Sequence, residues 1–295
     1  MRLLFVDVAV LSPRERFARG YVSVRDGRIE DLGEGEPPAE LRVAELVGGG
    51  HGRLVVPGFI ALAAPVLYPF RGLGVGLRVE DLLDYREAYY AALMGLYELS
   101  VSGYPVVLAV TTKVSAVADA MRAAGVTGAV LIPFGPSYPA LESDELEKAR
   151  SLAETGKIRV YAMKCGGETP EGLKAIDCME PAGWTGSPWI ELCRLDNPEE
   201  RLRKYWGMLG YGEPLEKGSE AHLVVLDLTE PPAWTPSMEP GWEWLRGSTP
   251  RVEMVVAGGQ PIVDGGQHLY IGLSDCEKAR EVLAEALDRV KNHLG

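Results

Sequence analysis

Side-chain amides are almost missing from this sequence. Its 295 residues include two asparagines, Asn197 and Asn292, and two glutamines, Gln260 and Gln267. Thermolabile amides are also scarce in the proteins of hyperthermophiles. We therefore predict a thermophilic protein.

Long apolar runs and basic runs are missing as well. No stretch approaches the ~18 consecutive apolar residues of a membrane helix, so we expect no membrane partner. A formal net charge of −12 and an isoelectric point near 5.0 predict a surface that repels phosphate, so we expect no nucleic acid partner. Hydrophobic residues make up 46% of the chain, enough for a substantial core, and we expect a cytoplasmic protein.

Cysteine is scarce, and no two cysteines form a Cys-x-x-Cys pair. Thiols stay reduced in the cytosol, so we expect free, buried thiols. Intracellular disulfides do occur in hyperthermophiles, however, and the sequence leaves the pairing open. The four cysteines are Cys165, Cys178, Cys193 and Cys276.

Both ends of the chain have the pattern of β structure. Near the start, "GYVSVRDGRIEDLGEG" alternates apolar and polar residues around Asp26-Gly27, which is a strong hairpin signal because both turn positions need a positive φ. Near the end, "RVEMVVAGGQPIVDGG" predicts a second hairpin that turns at Gly258-Gly259. The Gly- and Pro-rich residues 33–53 are predicted to be loop.

The middle of the chain alternates between strands and helices. Strands are predicted near residues 55–62, 105–110, 128–133 and 158–164, with helices between them and a short helix from Thr169. Such alternation predicts a parallel sheet of βα units. The pattern is lost in the irregular segment 177–195, and an amphipathic helix closes the chain after Ser274.

These elements resemble the amidohydrolase superfamily, in particular its branch of cytosine deaminases, S-adenosylhomocysteine deaminases and chlorohydrolases. The similar segments run in the family's order along nearly the whole chain, and they are "GYVSVRDGRIEDLGEG", "LVVPGFIALAAP", "YPFRGLG", "AMRAAGVTGAVL", "GEPLEKGSEAHLVVLDL" and "VEMVVAGGQPIVDG". The resemblance implies an α/β fold in which a TIM barrel stands beside a small β-sandwich that both chain ends form.

A full eight-stranded barrel takes ~200–250 residues, whereas only about 160 separate Leu54 from Gly212. We therefore expect a shortened TIM-like barrel of about four to five βα units. The predicted domains are a composite β-sandwich (1–57 plus 213–273), the truncated barrel (58–212) and a C-terminal helix (274–295). A shortened barrel has open edges, and we expect the segment 177–195 and a second subunit to cover them, giving a homodimer.

The family's metal ligands do not carry over to this sequence. Its first two histidines, two residues apart after the first barrel strand, correspond to Ala63 and Pro65, which offer no side-chain donor. Its next histidine corresponds to Cys165, within "CGGET", and the one after that to Asp177. None of the four histidines follows a predicted barrel strand, so we expect no bound metal and no other cofactor.

Polar residues do cluster after the fourth barrel strand, where α/β barrels place their chemistry. The candidate catalytic residues are Lys164, Cys165, Glu168 and Asp177, which offer an amine, a thiol and two carboxylates. Arg71 and Trp234 are candidates for binding a small-molecule ligand. For each of them, a structural or solvated role is the competing interpretation.

Two functions remain open at this point. The first is a degenerate amidohydrolase-like protein without metal-dependent hydrolase activity, which serves as a small-molecule-binding, regulatory or structural homo-oligomer. The alternative is a hydrolase of non-peptide C–N bonds, deaminase-like, that acts on a cyclic amidine or nucleobase through a site remodelled around Lys164, Cys165 and Glu168.

Overall fold

The computed structural model describes residues 1–64, 68–70, 77–155, 158–179, 198–230, 241–242, 245 and 250–294. These residues form two compact units. The first comprises residues 1–60, 100–106 and 186–269, and the second comprises residues 61–99, 107–185 and 270–295.

A nine-stranded sheet is the main element of the first unit, and both ends of the chain contribute to it. Its hydrogen-bonded order is β14-β13-β12-β11-β5-β1-β2-β3, and β4 also pairs with β1. The strands are β1 (Arg2–Leu11), β2 (Arg16–Arg25), β3 (Arg28–Glu34), β4 (Leu46–Gly49), β5 (Arg53–Pro57), β11 (Leu223–Asp227), β12 (Arg251–Ala257), β13 (Gln260–Asp264) and β14 (Gln267–His268). The described residues of this unit also include helix α4 (Pro198–Leu209).

The two predicted hairpins are confirmed. Asp26 and Gly27 join β2 to β3 with φ values of 49° and 82°, and Gly258 and Gly259 join β12 to β13 with φ values of 56° and 78°. Positive φ at both central positions gives a turn whose twist matches that of the flanking strands. Sequence chemistry at these four positions therefore fixes the register of both hairpins.

The core of this unit draws on strands from both ends of the chain. Its fully buried members include Phe5 and Val10 from β1, Val55 from β5, and Leu223 and Val256 from the closing strands. Antiparallel pairing of β5 with β11 joins the two ends directly. In the described residues, strands from both ends of the chain therefore share one core and one hydrogen-bonded sheet.

The second unit contains a five-stranded sheet in the order β10-β9-β8-β7-β6. Its strands are β6 (Ile60–Ala64), β7 (Val106–Val110), β8 (Thr127–Phe134), β9 (Arg159–Lys164) and β10 (Lys174–Asp177). Pairs β8–β9 and β9–β10 are parallel. Pair β7–β8 runs parallel as well, because Gly128 lies against Val107 and the amide of Thr111 donates to the carbonyl of Leu131.

Helices cover this sheet in the predicted order. They are α1 (Tyr85–Val101), α2 (Val114–Ala124), α3 (Ser143–Thr155) and α5 (Leu273–Leu294), with short 3-10 turns at Tyr68–Phe70 and Leu77–Leu82. Helix α2 ends at Gly125 in the left-handed conformation, with φ 69°, as its sequence predicts. An apolar cluster joins α1, α2 and α5 through Ala91, Ala116 and Ala286. The mixed α/β fold with a parallel sheet is therefore confirmed.

Two local predictions are wrong. The segment predicted to be loop contains β4, because the amino-terminal half of the long β1 offers a sheet edge and residues 46–49 pair with it. The short helix predicted from Thr169 is replaced by a turn and β10. Gly172 has a φ of 89°, which a helix does not allow, and Lys174–Asp177 pair with β9.

Within the described ranges, the sheet of the second unit has five strands in an open order, which is consistent with the predicted truncation. Closure into a barrel, the sandwich and the predicted domain boundaries stay predictions. None of the helices in the described part of the chain is long and apolar enough to cross a membrane.

Candidate functional site

Neighbouring strands of the second unit end at the same edge of its sheet, and polar side chains gather there. Because β7, β8, β9 and β10 are parallel, their carboxyl ends lie side by side, which is where α/β proteins place ligands. The sequence prediction falls on this edge. Lys164 ends β9 and Asp177 ends β10.

The backbone after β9 is fixed against the end of β8. The carbonyl of Phe134 accepts hydrogen bonds from the amides of Cys165 (2.9 Å) and Gly167 (3.0 Å). A side chain at Gly135 would collide with the carbonyl of Cys165, and one at Gly167 would lie 2.9 Å from the carbonyl carbon of Phe134. Glycine is therefore required at both positions by close backbone packing, and the chain bends at Gly166-Gly167.

A disulfide joins Cys165 to Cys178 with a Cα–Cα distance of 4.9 Å. The expectation of free thiols is wrong for these two residues, because the ends of adjacent parallel strands place them within bonding distance. Cys165 in this state is neither a nucleophile nor a thiolate ligand. Cys276 is free and half-buried, and Cys193 lies outside the described residues.

Lys164 and Asp177 are partners in the register of β9 and β10, so their side chains leave the sheet on the same face. Both are exposed, as is Glu168 in the intervening turn. The edge thus presents one ammonium and two carboxylates to solvent. Arg71 and Trp234 lie outside the described residues, and their binding roles stay predictions.

Sequence reasoning missed a buried carboxylate at the end of β7. Glu80 is 1% exposed, and it accepts three hydrogen bonds of 2.7 Å, from the hydroxyls of Thr111 and Thr112 and from the amide of Thr112. Burial raises the pKa of Glu80 above its ordinary value, against the effect of these hydrogen bonds and of Lys113. The signal in the sequence was an acid between Val79 and Leu83, together with two threonines directly after a buried strand.

A second carboxylate stands in for a missing helix cap nearby. Glu145, 7% exposed, accepts hydrogen bonds from the amide (2.9 Å) and hydroxyl (3.0 Å) of Ser115 in the first turn of α2. Lys113, just before that helix, pairs with Glu142 at 3.3 Å. Charged groups at the end of β7 and the start of α2 are therefore held by hydrogen bonds, which makes this part of the edge polar.

None of the four histidines lies in the five-stranded sheet, as the sequence predicts. His51 and His293 are exposed. The fully buried His222 accepts a hydrogen bond from the amide of Gly258 at Nδ1 (3.0 Å), so its Nε2 carries a proton towards Glu220 (3.3 Å). Burial lowers the pKa of His268 to about 4.

The residues of the described chain do not fit a transition-metal centre of the kind that the resemblance implies. In the ranges that the structure describes, no three His, Cys, Asp or Glu side chains come together in a metal-binding group. The one sulfur at the expected strand end is bonded to Cys178. We therefore derive no catalytic step through a metal ion.

The fold of this chain is similar to those of several hydrolases of known structure. A variant of triazine hydrolase superposes with a TM-score of 0.70 at 13% identity, over 96% of this chain and 99% of the other. An atrazine chlorohydrolase variant from Arthrobacter aurescens TC1, complexed with zinc and atraton, gives 0.71 at 12% identity, over 97% and 100%. A zinc-bound adenosine deaminase from Xanthomonas campestris gives 0.67 at 13% identity, over 96% and 98%.

At 12% and 13% identity, these similarities establish the fold alone. No family model matches the sequence, and no curated protein matches it either.

Proposed function

We propose that this chain hydrolyses an exocyclic C–N bond of a nitrogen heterocycle, as a deaminase does with a cyclic amidine or a nucleobase. The observation that carries the proposal is the similarity of its fold, over almost the whole chain, to hydrolases named for triazines and adenosine. Both ring systems carry an exocyclic substituent on an electron-poor ring carbon that is bonded to a ring nitrogen, so one reaction type, the addition of water to that carbon, covers them.

The polar groups of the β9–β10 edge suit such a reaction without a metal. Water adds to the ring carbon, the C–N bond breaks, and ammonia leaves with a proton that the water supplied. A carboxylate of Glu168 or Asp177 can accept the proton from water, and the ammonium of Lys164 can offset negative charge on the ring. Cys165 has no part in this scheme, because its sulfur is in the disulfide.

A second function is favoured by the missing donors. By the sequence resemblance, Ala63 and Pro65 correspond to the paired histidines of the amidohydrolases, and Cys165 is in a disulfide. A protein that binds the same class of heterocycle without turning it over, as a regulatory or structural homodimer, fits these facts. The edge strand β10, whose residues are exposed or half-buried, is where a second subunit would pack in this case.

Measurement of ammonia release distinguishes the two proposed functions. Purified protein, before and after chelation, is incubated with amino-substituted triazines, pyrimidines and purines, and its metal content is measured by mass spectrometry. Our proposal predicts release that survives chelation. If no compound releases ammonia while thermal-shift assays detect binding, the second function replaces the first. If activity requires stoichiometric metal, the metal-free scheme is wrong.

Variants locate the site once a substrate is found. We expect Glu168→Gln or Asp177→Asn to lower kcat on the order of 100-fold, the usual scale for a general acid or base. Glu171→Gln is the matched control, because Glu171 is an exposed acid of the same β9–β10 connection whose backbone carbonyl accepts hydrogen bonds from Arg150. Equal activity in all three variants would exclude this edge as the site.

A further inference from the structure

The edge strand β10 has few interactions of its own. It has four residues, which are exposed or half-buried, and β9 is its one hydrogen-bonded neighbour in the described chain. The connection from β9 spans residues 165–173 and contains no helix, whereas parallel strands ordinarily need a crossover of about a dozen residues or more. Leu173 is the buried apolar side chain of this connection. Strand pairing alone therefore holds β10 weakly.

The disulfide continues the β9–β10 ladder by one residue pair. Asp177 pairs with Lys164, so the next positions along the two strands are Cys178 and Cys165. Their Cα–Cα distance of 4.9 Å is close to the spacing of neighbouring strands, about 4.8 Å. The covalent bond thus takes the place of the next backbone pairing between the two strands and fixes the register of β10 against β9.

This disulfide is also accessible to reductants. Cys178 is exposed and Cys165 is half-buried, unlike the fully buried disulfides of a protein core. Exposed disulfides are the ones that exchange with external thiols. A bond that holds a weak edge strand and can be reached from solvent combines the two properties of a switch.

We propose that Cys165–Cys178 is a reversible redox switch that fixes β10, and with it Asp177, against β9 and Lys164. In the reducing direction, a thiolate of a dithiol attacks Sγ of Cys178, the S–S bond breaks, and Sγ of Cys165 leaves and takes up a proton. The second thiol of the reductant then displaces Cys178. Two electrons pass to the protein, which ends with two thiols, and the dithiol ends as a disulfide.

Loss of the bond frees the end of the loop between residues 165 and 178. A disulfide that closes a loop of this length changes an opening equilibrium on the order of 100-fold. Reduction therefore increases the opening of β10 by that factor and leaves the interior strands of the sheet unchanged. The geometry of the candidate site then depends on the redox state.

Hydrogen exchange tests the switch without any substrate, so its result does not depend on the proposed function. Full-length protein is compared as purified, after treatment with dithiothreitol, and after reoxidation with oxidised glutathione. We expect amides of residues 174–178 to exchange on the order of 100-fold faster after reduction and to recover on reoxidation, while those of 127–134 stay unchanged.

Variants check the assignment. The double variant Cys165→Ser, Cys178→Ser is expected to exchange as the reduced protein does under all conditions, and Cys276→Ser is expected to respond as the wild type. Thiol labelling with mass spectrometry follows the bond directly. The proposal is overturned if the purified protein carries both thiols free, if dithiothreitol leaves the bond intact, or if β10 exchanges equally fast in both states.

Discussion

Arg289 binds both carboxylate oxygens of Glu87, at 2.6 and 2.5 Å, and so ties the C-terminal helix α5 to the start of α1. The same guanidinium donates to the carbonyl of Leu82 at 3.2 Å. Glu87 is 6% exposed, so its charge has little access to water and depends on this partner. The ion pair raises the pKa of Arg289 above its ordinary value.

Removing this arginine is expected to loosen α5. Arg289→Leu leaves the buried carboxylate of Glu87 without its cation, and we expect a melting temperature lower by several degrees. Arg280→Leu, which removes an exposed arginine from the same helix, is the control and should change it little. Differential scanning calorimetry measures both. Equal effects of the two substitutions would mean that the ion pair adds no stability.

The buried carboxylate of Glu80 predicts a pH dependence of stability. Because burial raises its pKa above 4.5, the folded protein binds this proton more tightly than the unfolded chain does. That contribution is fully present below the unfolded pKa and is lost as the pH rises through the folded pKa. Glu80→Gln cannot titrate, so the stability of the wild type relative to this variant should fall with rising pH over that window.

Urea denaturation of the wild type and of Glu80→Gln across this pH range measures the effect. Glu142→Gln, which changes an exposed glutamate, should follow the wild type throughout. A constant difference between wild type and Glu80→Gln at every pH would show that the proton affinity of Glu80 is the same in the folded and unfolded states.

Close approach of β7 and β8 depends on Gly128. Its φ is 126°, and a β-carbon there would collide with the carbonyl of Val107. We expect Gly128→Ala to lower the free energy of unfolding by about 3 kcal/mol through strain and overpacking. Gly207→Ala, in the exposed face of α4 with no neighbour in contact, should instead raise it by about 0.5–1 kcal/mol. Chemical denaturation of both variants measures the expected loss and the expected gain in the free energy of unfolding.

His222 is expected to be a structural residue. It accepts the amide of Gly258 at the β12–β13 turn, and its ring packs 4.4 Å from that of Tyr211 and 5.5 Å from that of Trp206. His222→Ala leaves the buried amide of Gly258 without its acceptor and creates a cavity, so we expect a loss of about 3 kcal/mol in the free energy of unfolding. His51→Ala, at an exposed turn, should change it by less than about 0.5 kcal/mol. Similar losses would contradict the role assigned to His222.

The elements that the sequence predicts well are those whose signal is local. The Asp26-Gly27 and Gly258-Gly259 turns and the end of α2 at Gly125 follow from backbone preferences of a few residues. Strand β10 does not, because its pairing with β9 outweighs the helix pattern from Thr169. Secondary structure that a neighbouring strand decides cannot be deduced from the segment alone.

Some features of the candidate site could likewise be predicted from the sequence, and others could not. The sequence places Lys164 and Asp177 in one polar cluster after the fourth strand, and the two residues are register partners of β9 and β10. The Cys165–Cys178 bond depends on the register of two strands, and a sequence spacing does not give it. Glu80 was missed because its partners Thr111 and Thr112 lie about thirty residues further along the chain.

Pairing of β5 with β11 has a consequence for synthesis. Leu54 leaves the ribosome long before its register partner Leu226, so the early strands wait with an open edge while the whole α/β segment is translated. Contacts so distant along the chain form slowly and leave the waiting edge exposed to aggregation. The first unit therefore completes its sheet only after the segment between β5 and β11 has been translated, whereas the second unit can begin to fold from local contacts while the chain still grows.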